Sequence, residues 1–177
     1  MKSSTGLVFT FSILLIFISA CTPSADKSKT EPSATQRPDP RSVNPHPLQE
    51  LGNKYAAAWC SQKPEQVAAF FAKDGSLKVN DAAPAVGSEA ITKVAQGFMT
   101  AFPDMVVTMD SLIPTDFGAM FHWTLTGTNT GPNGTGKKVR VSGFELWQFN
   151  NEGLINQSLG HFDADEYNHQ LKVGVNN

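Results

Sequence analysis

The chain has 177 residues, with 14 Lys or Arg against 16 Asp or Glu and a formal charge of −2. Near-balance and the lack of a basic run exclude nucleic acid as a partner, because phosphate binding needs a concentrated positive field. Composition changes sharply along the chain, and residues 1–20 fall outside any fold. Lys2 gives a short positive start, and Leu7 to Ile18 is apolar except for Thr10 and Ser12. That run is shorter than the about 20 residues a membrane-spanning helix needs. Small residues follow it at once, as at a cleavage site, so it reads as a signal peptide.

The residues that end it, Ile18-Ser19-Ala20-Cys21, resemble the lipobox of bacterial lipoproteins. The resemblance implies a lipid on Cys21, cleavage before it and acylation of the new amino group; otherwise Cys21 is incidental in an ordinary secreted protein. More than one acyl chain gives stable anchoring, so the expected partner is a membrane and the expected location is the cell membrane, facing out of the cytoplasm. Thr22 is not the aspartate that retains many such proteins in an inner membrane, which favours the outer membrane if there is one. Thr22 to Pro47 is rich in Pro, Ser, Thr and Lys. Too little apolar surface is available there to offset ordering, so residues 21–47 read as a lipidated tether with a reach of roughly 25–30 Å.

From Leu48 onward the chain has the length of one domain. Leu48, Leu51, Tyr55, Ala58 and Trp59 share one helical face, which predicts a first helix to about Cys60. Cys60 is the only cysteine of this part, so no internal disulfide forms, and a lone thiol outside the cytoplasm is safest buried. Lys63-Pro64-Glu65 restarts a helix with proline tolerated in its first turn. Asp74-Gly75 reads as a turn, Leu77 to Val79 as a short strand, and Pro84 to Gly87 as loop. A third helix opens at Ser88 and Glu89, turns Ile91, Val94, Ala95, Phe98, Met99 and Phe102 inward, and closes at Pro103.

After Pro103 the period becomes alternating. Strands are predicted over Met105–Met109, Ala119–Thr128, Lys138–Phe149 and Leu154–Phe162, with a hairpin turn at Asn150-Asn151-Glu152-Gly153. Helices first and an antiparallel sheet after them make an α+β domain whose concave sheet suits a small apolar ligand.

Several motifs in this order resemble the NTF2-like superfamily, in particular its SnoaL-like polyketide cyclase or ester cyclase branch. They are Phe121 to Phe149, Gly153 to Leu171, YAAAW in the first helix, DGSL after the second and GSEAI opening the third. The resemblance implies a cone of three N-terminal helices packed on a curved antiparallel sheet around a central pocket, over residues 48–177. It also implies a choice of roles, because this superfamily holds cyclases, isomerases and non-catalytic binders alike.

Ring closure beside a carbonyl needs a base and an acid. The resemblance assigns the acid/base role to Asp163, after the last strand, and alternation puts His161 on the same face. Alternatively Asp163 caps the C-terminal helix that Asp165 and Glu166 begin. Glu145 lies in an otherwise apolar strand with Val141, Gly143, Trp147 and Phe149 on its face. It is therefore either a cavity acid or the partner of a cation on a neighbouring strand.

The inward-facing Tyr55, Trp59, Phe98, Trp123 and Trp147 are candidates for ligand contact. Tyr55 matches the oxyanion-binding tyrosine of the ketosteroid isomerases, whereas Val79 and Asn80 stand where their base would be, and Asp81 is displaced from it. His122 alternates onto the opposite face, at the surface or in a homodimer contact through the open sheet face. Metal-ligand spacing, a phosphate loop and a serine nucleophile elbow are all absent from the sequence, so no metal and no cofactor are expected.

Overall fold

A computed structural model describes residues 45–175; the predicted signal peptide 1–20, Cys21 and the tether to residue 44 lie outside the described residues. Helix α1 (Pro45–Cys60) starts three residues before the expected Leu48. Prolines are compatible with its first turn, where backbone N–H groups have no helical acceptor. Helix α2 (Pro64–Ala68) is a single turn. Strand β1 (Phe71–Val79) follows, then the two-residue β2 (Ala85–Val86) and helix α3 (Gly87–Ala101). Four long strands come next: β3 (Val106–Thr115), β4 (Gly118–Thr128), β5 (Lys138–Phe149) and β6 (Ile155–Phe162). Helix α4 (Ala164–Val173) ends the domain. None of the described helices is long and apolar enough to cross a membrane.

Two expectations about the N-terminal strands need correction. Asp74-Gly75 is not a turn but lies inside β1, where the pairing with β6 shifts register between Phe71 and Ser76. An irregularity of this kind absorbs turn-type residues within a strand. Pro84 to Gly87 is not all loop either, since Ala85 and Val86 pair with Leu77 and Ser76.

The sheet order is β2-β1-β6-β5-β4-β3. β1 and β6 run parallel, so the sheet is mixed rather than purely antiparallel as the alternation suggested. Period-two alternation is the same in both kinds of pairing. The parallel join needs a long crossover, which α3 and the four intervening strands supply.

α1 and α3 cover the concave face of this curved sheet, and α2 packs against both helices. α1 is fastened at both ends to β3: Gln49 Nε2 donates to Leu112 O at 3.1 Å, and Val107 N donates to the half-buried Cys60 Sγ at 3.1 Å. Tyr55, Phe102, Phe121, Trp147 and Ile155 are completely or almost completely buried between these layers.

β6 pairs with β5 only as far back as Gly143, so the first residues of β5 lack a strand on that side. Gln170 of α4 substitutes for it. Arg140 N donates to Gln170 Oε1 at 2.7 Å, and Gln170 Nε2 donates to Arg140 O at 3.0 Å. Gln170→Leu leaves both backbone groups unpaired. It is expected to lower stability by about 1–3 kcal/mol, with faster hydrogen exchange at the Arg140 amide as the direct readout.

Candidate functional site

Strand register lays the concave face out as a grid. One row across the sheet is Leu112, Phe121, Glu145, Gly160 and Val79; the next is Met109, Trp123, Gly143 and Phe162. Each row contains a glycine where its neighbours carry large groups. At Gly143 a Cβ would stand 2.6 Å from Trp123 Cζ2, so the indole of Trp123 reaches across β5 because nothing projects there. At Gly160 a Cβ would stand 3.5 Å from Glu145 Cγ. The space above Gly160 is a cavity of about 50 Å³ beside that glutamate.

The cavity wall is Trp59, Leu77, Phe98, Val107, Phe121, Trp123, Leu125 and Phe162, closed by Val79, Gly160 and Glu145. Glu145 is the one titratable side chain among them. Three donors converge on a single one of its oxygens: Tyr55 Oη at 3.0 Å, Trp147 Nε1 at 3.0 Å and Ser158 Oγ at 2.6 Å all donate to Oε2. Oε1 has no hydrogen-bond partner among the described residues, and Glu145 forms part of the cavity wall.

Burial pushes the Glu145 carboxyl above its ordinary range, while the bonds from Ser158, Trp147 and Tyr55 pull it back down. The Tyr55 hydroxyl is held well above its usual value, first by burial and then by the Glu145 charge, so it remains a donor. The result is a carboxyl group fixed in place through Oε2, with Oε1 free to bind or to exchange a proton.

Residues 49–171 match the family described as SnoaL-like polyketide cyclase. The chain belongs to that family. No curated protein matches the sequence. Among solved structures, TsrD from Streptomyces laurentii aligns with a TM-score of 0.62 at 18% identity, over 73% of this chain and 97% of that one. A protein of ketosteroid isomerase-like fold from Catenulispora acidiphila, in complex with trimethylamine, aligns with a TM-score of 0.59 at 19% identity, over 66% and 88%. The epoxide hydrolase/cyclase-like enzyme SalBIII, of pyran ring formation in salinomycin, aligns at 0.59 with 12% identity, over 70% and 95%. These likenesses establish the fold of the SnoaL-like domain and nothing finer.

The structure separates the candidate residues that the sequence grouped. Trp59, Phe98 and Trp123 line the cavity with Glu145, whereas Tyr55 and Trp147 do not: they stand behind Glu145 as its hydrogen-bond donors. Asp163 and His161 are exposed and lie outside the cavity, along a solvent-open cleft at the ends of β5 and β6. Asp163 is the N-cap of α4, accepting from Glu166 N at 2.9 Å. That placement matches the capping alternative. Alternation explains it: His161 and Asp163 share a face with Leu159, on the side of the sheet away from the helices, where His161 packs against Phe144. Asp163→Ala is expected to reduce thermal stability by about 1 kcal/mol through the lost cap, with no change in ligand affinity of the cavity.

Near the position of the isomerase base, Asn80 Oδ1 accepts from Phe162 N at 2.9 Å and Asp81 is exposed. Ser158 is the site residue that sequence reading missed. Its signal was a small hydroxyl on an inward-facing position of β6, one row from Glu145. The indole N–H of Trp123 is buried without a partner among the described residues. Among the described residues no group of three or more His, Cys, Asp or Glu side chains is placed to hold a metal ion.

Proposed function

We propose that this protein is a membrane-tethered domain that binds a small, mainly apolar carbonyl-type compound and exchanges a proton with it through Glu145, without a cofactor. The observation that carries the reading is the asymmetry of a carboxyl group in the wall of an apolar cavity, with three donors on Oε2 and none on Oε1 among the described residues. Glu145 thereby takes the acid/base role that family resemblance gave to Asp163. Deuterium uptake at the carbon beside the carbonyl of acetone, followed by NMR in heavy water, tests it. Full-length protein should accelerate uptake and the Glu145→Gln protein should not; equal rates for the two would refute proton exchange at this residue.

A second reading, binding without turnover, is favoured by one observation: no other titratable side chain lines the cavity. It predicts saturable binding of acetone with no deuterium uptake.

The location belongs to the same proposal. The lipobox-like Ile18 to Cys21 supports a lipid anchor at Cys21, the tether supports a domain held close to the membrane surface, and Thr22 supports the outer membrane where one exists. Cys21→Ser should abolish palmitate incorporation and release the protein from the membrane fraction. The sheet face away from the helices carries Met120, His122, Phe144, Leu146 and Leu159 in adjacent positions, which supports a homodimer through that face. Phe144→Arg should then convert a dimer to a monomer in sedimentation.

A further inference from the structure

The cavity that serves the proposed function has a chemistry that suits a second class of ligand. Five aromatic side chains, Trp59, Phe98, Phe121, Trp123 and Phe162, line it around one carboxylate. No Lys, Arg or His is among the lining residues. The ion pairs among the described residues, Lys54 with Glu50 and Lys93 with Glu89, lie on exposed helix surfaces and leave Glu145 without a counter-charge.

A buried carboxylate without a cation is an unbalanced arrangement, tolerated here because Tyr55, Trp147 and Ser158 solvate one oxygen. Aromatic rings attract cations through their electron-rich faces, and most strongly where water is excluded. Size narrows the choice. At roughly 10–15 Å³ for each water-sized group, the volume admits a ligand of about four non-hydrogen atoms. A multi-ring compound does not fit this space.

We propose that the cavity also takes small primary alkylammonium ions, with an N–H of the ligand donating to Glu145 Oε1 and its alkyl group packed among the aromatic rings. The ammonium supplies the counter-charge that the protein omits. Leu77, Val107 and Leu125 complete the apolar part of the wall, so the ligand is alkylated rather than a bare ammonium ion. For so small a molecule a dissociation constant of about 0.1–10 mM is expected.

This inference rests on the cavity being the ligand site, and isosteric probes separate the two ideas. Full-length protein in detergent is titrated with isopropylammonium chloride and, separately, with acetone, which is similar in size and shape but neutral. The indole N–H resonances of Trp59 and Trp123 are followed by NMR. Saturable shifts are expected with both probes. Glu145→Gln should weaken isopropylammonium by at least about tenfold relative to acetone, as for a lost charged partner. Should that variant fold poorly, Phe98→Leu provides the second arm, weakening isopropylammonium by about threefold relative to acetone.

Acetone binding without isopropylammonium binding overturns the inference and leaves the carbonyl reading intact. Isopropylammonium binding alone supports the inference and removes the carbonyl reading. Binding of neither overturns both, and equal ammonium affinity in wild type and Glu145→Gln also overturns the inference.

Discussion

Glu145→Ala is expected to destabilise the domain by about 3–5 kcal/mol, whereas Glu145→Gln is expected to be close to neutral at pH 7. Alanine leaves Tyr55 Oη, Trp147 Nε1 and Ser158 Oγ buried with their common acceptor gone. Glutamine keeps an oxygen at that point and removes the charge. Tyr55 and Trp147 are the centre of an aromatic cluster, with ring centroids 4.9 Å apart and Phe121 stacked on Trp147 at 4.8 Å, so repacking around the gap is limited. Urea unfolding of the three proteins measures the difference.

The pH dependence of the same series has a definite sign. Burial raises the folded-state carboxyl above its ordinary range. As pH rises through that range the unfolded chain releases its proton first, while folded Glu145 still holds one. Stability from this group is therefore full below the ordinary carboxyl range and is lost as pH climbs to the folded value. The Glu145→Gln protein lacks this loss, so its stability relative to wild type should improve from pH 4 upward and then level off. A difference independent of pH would show that Glu145 titrates as an exposed carboxyl does.

The second large effect is expected from Gly160→Val, which should abolish small-molecule binding in the cavity, by at least about 100-fold, while the domain stays folded. The new side chain would occupy the space between Val79 and Glu145 that the glycine leaves open. Its Cβ would stand 3.2 Å from the backbone oxygen of Lys78, a contact relieved by a few tenths of an ångström, and a β-branched residue suits a strand. Titration with acetone, monitored by the Trp123 indole resonance, reports the loss, and thermal unfolding confirms the fold. Unchanged affinity would place the ligand elsewhere, and the polar cleft around His161 and Asp163 would become the next candidate.

Both predictions concern residues whose importance was unequally legible in sequence. Glu145 was visible as a carboxylate in an apolar strand, because a charge there demands a partner. Gly160 carried no such signal. A glycine in a strand marks a close approach, an irregularity or an opening, and only the register against Glu145 and Val79 shows which. Asp163 was misleading for a related reason. Its position after the last strand fits both a catalytic base and a helix cap, and local sequence is the same for either role.

The order and kind of the main elements, the inward stripe of the helices, the alternation that faces Glu145 toward the core, and the family are all legible in the linear chain. Each of these is a local periodicity or a linear motif. The parallel pairing of β1 with β6, the gathering of Tyr55, Trp147 and Ser158 onto one oxygen, and the exclusion of Asp163 from the cavity emerge with the folded arrangement. These depend on register between strands distant in sequence and on which groups lose water together, and neither is encoded in any single stretch of the chain.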